Sequence, residues 1–154
     1  MLRPSVTLPF YRTLQSYTVN TPNTKCLLII NDMKYFTLKE MVRTSHAGDN
    51  FPETWEHVVN LMKMAQLLDR IREDYGAPII VSSGYRRGWL NKAVGGAPNS
   101  WHLYGLAADI MVEYIPANDF KWRMADLCKV VKRYESELEE AIYKPNYIHI
   151  ALKL

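Results

Sequence analysis

Cysteine is scarce in this sequence: Cys26 and Cys128 are the only two in 154 residues, with no CxxC spacing and no Cys/His pairing of the structural-zinc kind. A disulfide scaffold is excluded, and both thiols are expected to be free and buried. Long apolar runs are missing as well. No stretch approaches the roughly 18–20 residues of a membrane-spanning helix, and the opening MLRPSVTLPFYRTLQ lacks the continuous apolar region of a signal peptide. The chain is therefore expected to be made in the cytoplasm, without a membrane span, and to need another route if it acts on a cell wall. Charge of one sign is equally sparse. The formal net charge is +3, with Lys and Arg scattered among acids, so there is no electrostatic footprint for nucleic acid. Seven glycines, eight prolines and no repeats exclude fibrous and low-complexity classes. What is present, 48% hydrophobic and 23% charged residues, suits one domain with a core large enough to need no staples.

Residues 1–32 differ in character from the rest of the chain. TVNTPNTKCLLIIND breaks β-branched residues with Pro and Asn and offers one short strand at CLLII. An edge strand, an arm, or a stretch upstream of a start at Met33 fit it equally, so the boundary is drawn between 1–32 and a domain over 33–154. From Tyr35 the signals sharpen. Thr37 with Glu40 three residues on is a capping box before a short helix. Trp55, Val58, Val59, Met62, Ala65, Leu68 and Ile71 recur at helical spacing, stopped by Gly76 and Pro78, and define a long core helix. PIIVSS reads as a buried strand, GYRRGWLNKAVGG as a loop with a helical turn, and GLAADIMVEY as a second strand. Pro116 and Asn118, the latter as cap, introduce an amphipathic helix over DFKWRMADLCKVVKRYESE, and LEEAIYK and NYIHIALKL form strands around a turn at Pro145 and Asn146. This order predicts an α+β fold, a small and mainly antiparallel sheet covered by helices on one face, with an antiparallel hairpin at its end.

Four histidines are available for chemistry. His46, in the polar RTSHAGDN, and His57, after Glu56, are read as surface residues. His149 is different: period-2 alternation in YIHIAL puts Tyr147, His149 and Ala151 on one face and Ile148, Ile150 and Leu152 on the other. With the isoleucines in the core, His149 faces the open side. Asp109 follows the small residues of GLAA and precedes IMV, and an acid there is costly unless paired. His102, Asp109 and His149 therefore form a candidate metal triad, since a catalytic zinc takes three such ligands and keeps a fourth position open. A capping or salt-bridged Asp and a hydrogen-bonded core His remain open as readings. Gly95, Gly96 and Gly105 are assigned to turns and close packing.

SSGYRRGWLNKAVGGAPNSWHLYGLAADI followed by a late YIHI resembles the zinc D-alanyl-D-alanine carboxypeptidases and peptidoglycan endolysins, the family that contains the vancomycin-resistance dipeptidase. SGYR, then Asn and GG, then S-x-H-x-x-G-x-A-x-D at Ser100 to Asp109, and one His in the last strand carry the likeness. YFTLKEMV and the helix ending GAPIIVSSGYR look like the small phage- and Bacteroides-type branch. The likeness runs from about Tyr35 to the C-terminus. It implies a zinc cleft on the open face of a D-Ala-D-Ala peptidase/hedgehog-like sheet, with Zn2+ on His102, Asp109 and His149. Arg86 would stabilise the oxyanion, or else pair with a core acid, and Arg87 would face solvent. Ser100, Tyr85 and Trp101 would contact substrate, Trp101 standing where relatives carry a smaller polar residue.

The general base is where the chain departs. Many relatives carry Glu three residues before the last His, and here that residue is Asn146; the small branch carries an acid further upstream, and here that place aligns with Lys144. LEEAIYK offers Glu139 and Glu140 instead. Alternation puts Glu140 with Ile142 and Glu139 with Ala141 and Tyr143, which favours Glu139 as the residue sharing the less apolar face. The activity implied is hydrolysis of an amide in peptidoglycan stem peptides, carboxypeptidase or endopeptidase, with metal-bound water as nucleophile. The alternatives are a catalytically weak zinc-containing wall-binding module and a purely structural domain. Nothing in the sequence speaks to oligomeric state.

Overall fold

A computed structural model describes residues 33–113 and 117–154. The CLLII strand, Cys26 and the rest of 1–32 lie outside the described residues. Thr37 and Glu40 close their capping box, with Glu40 N–H donating to Thr37 Oγ1 at 3.3 Å and Thr37 N–H to Glu40 Oε2 at 2.9 Å, and start α1 (Leu38–Met41). The core helix is α2 (Trp55–Tyr75), capped by Thr54 and ended by Gly76 at φ 73°. Its packed stretch begins a turn later than expected, at Val58: Trp55, placed on the core stripe by spacing, is 54% exposed. Leu61, Met64 and Leu67, off that stripe, are buried, because the helix is covered over a wider arc than one narrow seam.

Then come β1 (Ile79–Ser83), α3 (Gly88–Ala93), a 3₁₀ turn (Trp101–Tyr104), β2 (Ala107–Val112), α4 (Ala117–Lys132), β3 (Leu138–Tyr143) and β4 (Ile148–Leu152). Asn118 lies within the first turn of α4, one residue inside the helix start, so it is not the cap. Cys128 on α4 is a free, half-buried thiol, which burial pushes up in pKa.

All neighbouring strands are antiparallel and their order is β1-β2-β4-β3. The α+β architecture expected from the sequence is present. Ile79, Val81, Ala108, Ile110, Val112, Ile148 and Ile150 join Leu61, Met64, Leu68 and Leu127 in one core, with α2 and α4 in contact with each other and with β2. Since strand side chains alternate, the even positions of β2 and β4 fill that core and Asp109 and His149 emerge on the opposite face. Asp109 and His149 are register partners. No helix among the described residues is long and apolar enough to cross a membrane.

Candidate metal centre

His102 reaches the open face through a tight turn. Gly105 ends it at φ 72°, and a Cβ there would stand 2.6 Å from the His57 carbonyl oxygen, so only glycine lets the turn pack on α2. Asn60 Nδ2 donates to the Tyr104 carbonyl at 3.0 Å and fixes the same turn from the helix. Gly96 is likewise a close-packing position, lying against the Asn91 side chain.

Three ligand atoms meet here. His102 Nε2 is 3.3 Å from both Asp109 Oδ1 and His149 Nδ1, and His149 Nδ1 is 2.7 Å from Asp109 Oδ1. Ligands about 2.0–2.1 Å from a tetrahedral zinc stand roughly 3.3 Å apart, so two edges of the triangle have that length. Donor chemistry gives a second test. His102 Nδ1 lies 2.6 Å from the Gly84 carbonyl, which can only accept, so Nδ1 carries a hydrogen and Nε2 is the ring nitrogen left to face the centre. A carboxylate oxygen and imidazole lone pairs pointed at one another need a cation or a proton among them. Burial opposes ionisation of Asp109, but where protons rather than a cation stand among these groups, the hydrogen bonds from His102 and His149 outweigh it and hold the carboxyl below its ordinary range. The three residues fit a divalent metal.

Around them is an open cleft of about 390 Å³. Arg86 lies in it, its Nε donating to Ser83 Oγ at 2.8 Å and its Nη2 to Asp109 Oδ2 at 2.8 Å. The pairing with an acid that the sequence offered for Arg86 is thus present, in a side chain that also lines the cleft. Ser100, Trp101, Ile142, Lys144 and Tyr147 also line it.

Glu140, not Glu139, is on the cleft, with Oε2 3.3 Å from His149 Nε2. A register shift between Leu138 and Glu140 lets Leu138 return to the core and leaves Glu139 exposed at the irregularity. Favouring Glu139 from its less apolar face is thereby corrected, for the apolar neighbour Ile142 is itself part of the cleft wall.

Tyr85 is a second correction. It is 1% exposed and points into the core, its hydroxyl accepting from Glu53 N–H at 3.3 Å and lying 3.3 Å from His57 Nδ1. Adjacent side chains in the extended loop after β1 point oppositely, so Arg86 in the cleft sends Tyr85 inward. His57 is thus half-buried against Tyr85 and Tyr104 rather than a free surface residue. His46 is exposed, as expected. Arg87 does not simply face solvent, since it pairs with Asp49 and Glu53, each at 2.9 Å. One residue escaped the sequence altogether: Asn50, buried against the Arg86 loop, with no motif to mark it.

A family model described as Peptidase M15 matches residues 34–151. No curated protein matches the chain.

Proposed function

This chain belongs to the Peptidase M15 family, a family of zinc-dependent metallopeptidases acting on peptides, and from that premise we propose that it hydrolyses an amide bond in the stem peptides of peptidoglycan. The observation that carries the reading is the convergence of His102, Asp109 and His149 on the floor of a cleft that Arg86 and Glu140 also line. These three residues would hold zinc. When bound, zinc supplies Lewis acidity, polarising a scissile carbonyl and making water a competent nucleophile near neutral pH.

The chain's own groups do the rest. Glu140, its Oε2 against His149 Nε2, takes a proton from the attacking water and returns it to the leaving nitrogen as the C–N bond breaks. Arg86, held at Nε and Nη2, has N–H groups left for the oxyanion that develops on the carbonyl oxygen. Trp101, Ile142 and Tyr147 provide apolar surface for the peptide, and Ser100 a hydroxyl for its backbone. Stem peptides are favoured over other peptides by the likeness of the S-x-H-x-x-G-x-A-x-D segment and late YIHI to wall-acting relatives.

The test is incubation of zinc-loaded protein with purified sacculi, following new amines and free alanine. Release of alanine identifies a carboxypeptidase, and new internal amines an endopeptidase. Binding to sacculi with neither product, unchanged in Glu140→Gln, overturns the hydrolase reading in favour of a wall-binding module.

A further inference from the structure

The two peptide groups that flank Arg86 are held by one side chain. Asn50 is 5% exposed; its Nδ2 donates to the Tyr85 carbonyl at 2.8 Å and to the Val42 carbonyl at 2.9 Å, and its Oδ1 accepts from Arg87 N–H at 2.8 Å. The Tyr85 carbonyl belongs to the peptide entering Arg86 and the Arg87 N–H to the peptide leaving it. Carbonyls only accept and a backbone N–H only donates, so the amide has one possible orientation. A single planar group therefore spans the residue whose guanidinium faces the cleft.

The loop is closed from the other side too. Arg86 N–H donates to the His102 carbonyl at 3.0 Å, and His102 Nδ1 donates to the Gly84 carbonyl at 2.6 Å. Tyr85 N–H donates to the Met41 carbonyl at 2.7 Å, and a Cβ on Gly84 would stand 2.1 Å from that same oxygen. With these groups fixed, what remains for Asn50 to set is the direction in which the Arg86 backbone launches its side chain.

We propose that Asn50 is a positioning residue for the reaction: it does not line the cleft, and it acts by aiming the Arg86 guanidinium. The inference rests on the catalytic role given to Arg86 above. Displacing a catalytic group by about 1 Å costs on the order of 100-fold in rate, so losing the bracket lowers kcat more than substrate binding. A side chain that only stabilised the fold would leave kcat intact in whatever protein remained folded.

The experiment is a double-mutant cycle in the full chain loaded with zinc. Asn50→Ala and Asn50→Ser are made in wild-type and Arg86→Ala backgrounds and assayed below their melting temperatures, with the ¹H–¹⁵N signal of Arg86 Nε recorded in parallel. Expected are a kcat lower by about 10- to 100-fold with KM little changed, a shifted Arg86 Nε signal, and no comparable further loss once Arg86 is alanine. Losses that multiply in the double variant, wild-type kcat in the folded single variants, or failure of both variants to fold would each overturn the proposal. Wild-type kcat in Arg86→Ala would instead overturn the role of Arg86, a separate failure visible in that variant alone.

Discussion

The Arg86 guanidinium donates through Nη2 to Asp109 Oδ2 at 2.8 Å, while Oδ1 of the same carboxylate faces the two histidines. Arg86 therefore both orients Asp109, one of the three residues that could hold a metal, and reaches the cleft. Replacing Arg86 with Ala should lower kcat by about 10²–10³, the usual loss for one oxyanion donor. It should also weaken zinc about 10-fold or more by releasing Asp109. Activity at saturating zinc and a chelator-competition titration separate the two effects.

Metal binding should be carried by the triad alone. Purified protein is expected to hold about one zinc per chain, and His102→Ala or His149→Ala should hold almost none by elemental analysis. Zinc at about 100 times its Kd should stabilise the fold by about 2.7 kcal/mol, a gain absent in those variants. A wild-type zinc content in His102→Ala would contradict the site.

Glu140 and Glu139 are neighbours in sequence and separate in space. Glu140→Gln should lower kcat by about 10²–10⁴ as a lost proton carrier. Its amide can still accept from His149 Nε2, so zinc affinity should hold. Glu139→Gln, exposed at the strand irregularity, should leave kcat unchanged. Parallel kinetics and zinc titration of the pair decide the assignment.

A pH effect on stability is expected from Arg70 and Glu137. Arg70 meets Glu137 through Nη1 at 3.0 Å and Nη2 at 2.6 Å, and its hydrogen bonding lowers the Glu137 pKa from its ordinary 4.5. A carboxyl lowered in the folded state contributes stability that is present above pH 4.5 and is lost as pH falls through the folded value. Both side chains are about half exposed, so the pair is worth under about 1 kcal/mol. Glu137→Gln should thus lose a few tenths of a kcal/mol relative to wild type at neutral pH and nothing at strongly acid pH, measured by urea unfolding.

Local order was legible residue by residue. The Thr37–Glu40 capping box, the Gly76 stop of α2 and the alternation in YIHIAL are each set within a few positions of the chain, and each appears where expected. So does the emergence of His149 on the open face, because strand alternation needs no knowledge of the partner strand.

What the sequence by itself determined, then, is the type of each main element and the face that His149 takes, since helical and strand periods are local. Tertiary structure alone decided that β4 lies between β2 and β3, that Glu140 meets His149 while Glu139 does not, that Tyr85 turns inward, and that Asn50 brackets Arg86 from 35 residues before Tyr85. The physical reason is common to all four. Which strand pairs with which, where a register slips and which loop meets a buried amide are settled by packing between distant segments, and neighbouring residues carry no periodic trace of those contacts.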